Sequence, residues 1–188
     1  MIVLPKNKKK LSRMQMIAGV AVVAIIIATL ALSFNPNVLQ NQISSASQYN
    51  CGTLQINIQY MKEAIAYYRN GISKPSGTNY KYEIIDMSTT NYANSFQDLS
   101  GYRLKLVAND GTVIAPTQFG SIEKITYGDN TAVDFNCTEL ALASISRFGL
   151  NASQSARGCK IFLMLSNLTP ASLQVYNVTG LQCTVYLG

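Results

Sequence analysis

Residues Met14 to Phe34 read MQMIAGVAVVAIIIATLALSF, twenty-one residues with no charge and with Gln15 as the one strongly polar side chain. At ~1.5 Å per residue, a helix of that length spans roughly 30 Å, the thickness of a hydrocarbon core. A helix in a globular core is rarely apolar on every face for so long. The run predicts a membrane-crossing helix, and it divides the chain. Residues 1–13 form a basic cytoplasmic leader and 14–34 a transmembrane or signal-anchor helix. Residues 35–79 form a stalk with an amphipathic helix, and 80–188 a β-rich extracytoplasmic domain.

Charge agrees with that division. Lys6, Lys8, Lys9, Lys10 and Arg13 all precede the apolar run, and without them ten basic residues face nine acidic ones. The net charge of +6 is therefore a property of the leader. A basic cluster on one flank of a membrane helix sets topology with that flank inside. A nucleic-acid binder would carry the charge as a patch on its folded domain, so nucleic acid is not an expected partner. Ala31-Leu32-Ser33 has the small-x-small form of a signal cleavage site, but the run exceeds the ~7–15 apolar residues of a secretory signal, which favours retention.

Cys51, Cys137, Cys159 and Cys183 all follow the run, and an even count on the exported side predicts two disulfides. Of the three connectivities, Cys137–Cys159 with Cys51–Cys183 is favoured if the strands beginning at Cys159 and Cys183 flank a shared middle strand. Zinc is a poor alternative, since the chain has no Cys-x-x-Cys and no histidine. Asn136, Asn151, Asn167 and Asn177 each begin an Asn-x-Ser/Thr triplet. Asn151 and Asn177 are the better glycan acceptors, because Pro170 follows the third triplet and a cysteine occupies the first.

Asn35-Pro36-Asn37 breaks the apolar helix. Leu54, Ile58, Met61, Ile65, Tyr68 and Ile72 then recur at intervals of four and three, which predicts one face of an amphipathic helix stopped by Asn70-Gly71. Beyond Tyr80, β-branched and aromatic residues predict strands over Tyr80–Met87, Tyr102–Ala108 and Ile122–Tyr127. Asn109-Asp110-Gly111 signals a hairpin into Thr112–Ala115. Thr138–Phe148 reads as a short helix, and Cys159–Leu165, Ser172–Val178 and Cys183–Leu187 as a C-terminal meander. In the apolar run, Ala21, Ala24, Ala28 and Ala31 place small side chains on one stripe, a surface for close helix packing in lipid. The expected fold class is α+β: a transmembrane helix, an amphipathic helix and a mostly antiparallel, disulfide-bonded β domain.

The absence of histidine excludes Ser-His-Asp and Cys-His catalysis, and no glycine-rich phosphate loop is present. Nine carboxylates follow the apolar run. Asp129, Asn130 and Asp134 do not have the spacing of a calcium-hand loop. No residue is read as catalytic or metal-binding, and no cofactor is expected. Eleven tyrosines, all after residue 48, suit contact surfaces.

A basic start, an apolar helix at 14–34, an amphipathic helix over 54–72 and a disulfide-bearing β-rich head resemble type IV pilin-like subunits in layout. The resemblance implies assembly through the apolar helix. It does not extend to motifs: Lys10-Leu11-Ser12-Arg13-Met14 has no Gly or Ala processing site, and Met14 to Phe34 contains no glutamate. In composition the chain is also similar to surface and virion proteins of thermophilic archaea and their viruses. The expectation is a non-enzymatic structural subunit of an extracellular assembly, a surface filament or a virion coat or envelope, whose partners are copies of itself, other subunits and membrane lipid. Its packing faces would be the alanine stripe and Leu54, Ile58, Met61 and Ile65, the latter four packing first on their own domain or, in the sharper reading, on neighbouring subunits. The alternative is a monomeric membrane-tethered binding module for a glycan or a protein.

Overall fold

The computed structural model describes residues 47–140, 142 and 149–187. The expected transmembrane helix, with Ala21, Ala24, Ala28 and Ala31, lies outside them. Fourteen strands run through the described residues in chain order. They are β1 (Ser47–Cys51), β2 (Leu54–Ala64), β3 (Ala66–Arg69), β4 (Ile72–Pro75), β5 (Tyr80–Asn91), β6 (Gln97–Asp98) and β7 (Arg103–Ala108). Then come β8 (Val113–Ile114), β9 (Ser121–Thr126), β10 (Ala132–Thr138), β11 (Gly149–Leu150), β12 (Ser155–Leu165), β13 (Pro170–Asn177) and β14 (Gly180–Tyr186). No helix occurs among the described residues, so none there is long and apolar enough to cross a membrane. The expected α+β class is thus corrected: the described domain is all-β, and its strand pairs are antiparallel.

The amphipathic helix is replaced by β2, β3 and β4, and the reason lies in one inserted residue. Leu54, Ile56 and Ile58 alternate along β2 and are buried. Ile58 pairs with Met87 but Tyr60 with Asp86, so Gln59 is an extra residue, a β-bulge. Beyond it Met61, opposite Ile85, returns to the face of Ile58 and packs on the same core. Two strand repeats followed by one bulge reproduce the four-then-three spacing of a helix. At Ile65 the chain bends and passes into another sheet as β3. Asn70 (φ 50°) and Gly71 (φ 70°) do not cap a helix; they turn β3 into β4, as an Asn-Gly pair does in a two-residue hairpin.

Three four-stranded sheets stack around two cores. The central sheet has the order β1-β2-β5-β12. Its middle strand β5 is buried on both sides from Lys81 to Met87, which is why its sequence shows little alternation. Ile85 and Met87 join Phe162 and Met164 in a core shared with Leu104, Leu106, Leu173, Val175 and Val185 of the sheet β14-β13-β7-β8. Tyr82 and Ile84 join Cys159 and Ile161 in a second core with Tyr67, Ile122, Ile125 and Phe135 of the sheet β10-β9-β3-β4. A two-stranded ladder, β11-β6, sits beside them.

Each disulfide closes one edge of the central sheet. Cys51–Cys183 joins edge strand β1 to edge strand β14, with Cα atoms 4.9 Å apart, and Cys137–Cys159 joins β10 to edge strand β12 at 6.1 Å. These are the pairs toward which the sequence leaned, but the grounds differ. β12 pairs with β5, not with β13, so no middle strand is shared and the expected C-terminal meander reduces to β13–β14. The expected helix over Thr138–Phe148 is also replaced at its start: Thr138 ends β10, and the N–H groups of Glu139 and Leu140 donate to the carbonyls of Gly120 and Cys159. Residues 141 and 143–148 lie outside the described residues.

Candidate functional site

Of the residues singled out for packing, the four from Leu54 to Ile65 lie among the described residues, and the domain itself covers them fully or in part. Leu54 and Ile58 are buried, while Met61 and Ile65 are half-buried on a strand and at its bend. The acceptor asparagines are dispersed. Asn136, Asn151 and Asn167 are exposed on three separate segments. Asn177 is half-buried, and its Oδ1 accepts from the Thr179 N–H at 2.8 Å and from Gln182 Nε2 at 2.9 Å within the β13–β14 turn.

The carboxylates divide into turn formers and ion pairs. Asp110 and Asp129 accept the N–H groups of Thr112 and Thr131 at 2.8 and 2.9 Å, which holds both below the usual carboxylate range. Asp134 pairs at the surface with Lys124, so Asp129 and Asp134 have separate partners. Asp86 is buried under a two-pronged contact from Arg157 at 2.7 and 3.1 Å. The neighbouring Tyr60 hydroxyl is pushed up to about 12, first by burial and then by the Asp86 charge and hydrogen bond.

Two clusters lie deeper. On the central sheet, Glu63 of β2 stands opposite Glu83 of β5, and Lys81 bridges them at 2.6 and 3.3 Å. Burial pulls the Lys81 amine down, but the two carboxylates outweigh it and hold it charged. Burial pushes Glu83 up from 4.5, and Lys81 only partly offsets that. The folded state therefore binds the Glu83 proton more tightly than the unfolded chain does. Its contribution to stability is present at low pH and is lost as pH rises from about 4.5 through the elevated folded value. We expect a falling limb there of at most about 1.4 kcal/mol per pH unit, flattened in Glu83→Gln. Urea titrations across that range check it; an unchanged limb in the variant would assign the proton elsewhere.

The second cluster needs Gly158. A side chain there would strike the carbonyl of Thr138 and the backbone of Leu140, so only glycine lets that segment cross directly over β12. The crossing sets Glu139 beside Lys160. Lys160 is 3% exposed and donates to Glu139 Oε1 and to the Leu142 carbonyl, each at 3.1 Å. Glu139 Oε2 accepts the N–H groups of Phe119 and Gly120, both at 3.1 Å. Burial works against the Glu139 charge, yet these N–H groups and Lys160 outweigh it and lower its pKa. Beside the pair lies a cavity of ≈ 250 Å³ lined by Arg103, Pro116, Gln118, Glu139, Leu142 and Lys160. Sequence reasoning missed it. The signal available was a lysine inside the otherwise apolar stretch Cys159–Leu165, where a charge must find a partner.

A third feature is the loop end reached by β1, β5 and β13. Tyr92, Phe96, Val178 and Leu181 are exposed there, Val178 to 88%. The loops brace one another: the Tyr92 N–H donates to the Thr53 carbonyl at 2.9 Å, and the Thr53 hydroxyl to Gln97 Oε1 at 3.0 Å. Asn91 Nδ2 donates to the carbonyls of Ser95 and Leu150. Phe96 lies over Gly149, where a side chain would collide with its ring.

No family model matches the chain, and no curated protein matches it. Three solved structures resemble it in part. A conserved hypothetical protein from Bacillus anthracis is 8% identical with a TM-score of 0.48, over 77% of this chain and 94% of its own. An uncharacterized beta-sandwich protein from Clostridium difficile is 12% identical with a TM-score of 0.40, over 72% and 85%. A functionally unknown protein from Listeria monocytogenes is 17% identical with a TM-score of 0.43, over 72% and 74%.

Proposed function

We propose that the chain is a non-enzymatic binding module, held at the outer face of a membrane by residues 14–34 and working by contact with a glycan or protein. The exposed group Tyr92, Phe96, Val178 and Leu181 carries this reading. Tyr92 and Phe96 are displayed on a loop braced by Thr53, and Val178 and Leu181 at a turn held by its own hydrogen bonds, while Leu54 and Ile58 are consumed by the core. Two disulfides on the two edges of one sheet suit an oxidising compartment. In mild detergent, with its native N-terminus intact, the protein is expected to be a monodisperse monomer. The Val178→Asp variant should fold like the wild type.

A second reading, the structural subunit of a surface filament or virion, draws on the alanine stripe Ala21, Ala24, Ala28 and Ala31. Ordered oligomers in negative stain of native material would overturn the binding-module reading in its favour.

A further inference from the structure

We propose that the cavity beside Lys160 binds a small molecule bearing a single carboxylate, with a body about the size of one sugar ring. The lining supplies two cations, Arg103 and Lys160, and one carboxylate, Glu139, so one positive charge is left over for a ligand. Two of the three N–H groups of the Lys160 ammonium are spent on Glu139 and the Leu142 carbonyl. Arg103 is held through Nη1, which donates to the carbonyls of Ser100 and Tyr102 in its own loop at 2.5 and 2.9 Å and so leaves Nε and Nη2 for a ligand. Its planar fork matches a carboxylate in two-pronged fashion.

The negative Glu139, fixed by three donors, selects against a dianion, because a second charge on the ligand would meet it without a counter-ion. Pro116 and Leu142 offer an apolar wall to the body of the ligand, and the Gln118 amide can donate to or accept from a hydroxyl. Arg103 and Gln118 are both exposed, so the ligand has a route in from solvent. The inference stands apart from the loop-end surface and does not depend on it.

The test is calorimetric titration of the full-length protein in mild detergent with glucuronate, glucose and sulfate. Glucuronate should bind saturably at one site, and glucose should not bind. Loss of one charge-assisted contact in Arg103→Gln should weaken glucuronate by about tenfold or more. Gln118→Ala, at an exposed position that leaves both cations in place, should weaken it by a smaller factor and serves if Arg103→Gln does not fold. Absence of saturable glucuronate binding would overturn the proposal. So would binding that a folded variant, with native near-ultraviolet dichroism, leaves unchanged, or sulfate binding more tightly than glucuronate.

Discussion

The Ile58→Asp variant should lose a large part of the domain's stability, rather than remain a monomer of wild-type stability that has lost its neighbours. Ile58 is 3% exposed in a core it shares with Leu54, Ile56, Met87 and Val175. The substitution removes an isoleucine's burial, worth about 1.5–3 kcal/mol, and forces a carboxylate into the space or the strand out of it. A total loss of about 4–5 kcal/mol is expected, among the largest single-site effects. Domains of this size hold roughly 5–15 kcal/mol in all. Ile65→Asp is the control. Ile65 is half-buried at the bend between β2 and β3, and its charge can reach water, so about 1–2 kcal/mol is expected. Urea unfolding followed by tyrosine fluorescence and near-ultraviolet dichroism separates the two. An Ile58→Asp midpoint lowered no further than that of Ile65→Asp would mean that residues 54–61 do not sit in this core.

The two disulfides should differ in worth, and in a stated order. Cys51–Cys183 closes a loop with a sequence separation of 132, and Cys137–Cys159 one of 22. If crosslinks act mainly by limiting the unfolded chain, the first contributes about 5 kcal/mol and the second about 3 kcal/mol. Replacing Cys51 and Cys183 together by alanine should therefore lower the guanidinium midpoint more than the same change at Cys137 and Cys159. Each pair also ties an edge strand of the central sheet to a flanking sheet, so the loss should appear first as faster hydrogen exchange along β1 or β12, respectively. The reverse order of midpoints would show that native-state contacts at the β10–β12 corner, not chain entropy, set the balance.

Local signals were legible where they involve neighbours in sequence. Asn109-Asp110-Gly111 does turn β7 into β8, and β5, β7 and β9 lie where β-branched and aromatic residues placed them. The failure at residues 54–72 is equally specific. Spacing alone cannot tell a helix from a strand with one bulge, and the bulge at Gln59 exists because of its partner, Asp86–Met87, about thirty residues away. The short alternation Leu54-x-Ile56-x-Ile58 was the better local clue, and the longer helical spacing hid it. The cavity was invisible for a related reason. Lys160 looks like any lysine until Gly158 admits the crossing segment that brings Glu139 onto it.

By itself the amino-acid order determined the even set of cysteines, the β texture beyond Tyr80 and the lack of any histidine chemistry. Those follow from composition and short-range periodicity, which each segment carries alone. The tertiary structure decided which residues face which core, which sheet edges the disulfides close, and which charges are buried together. Pairing between distant strands sets those outcomes, and it is a property of the packed whole that no single segment encodes.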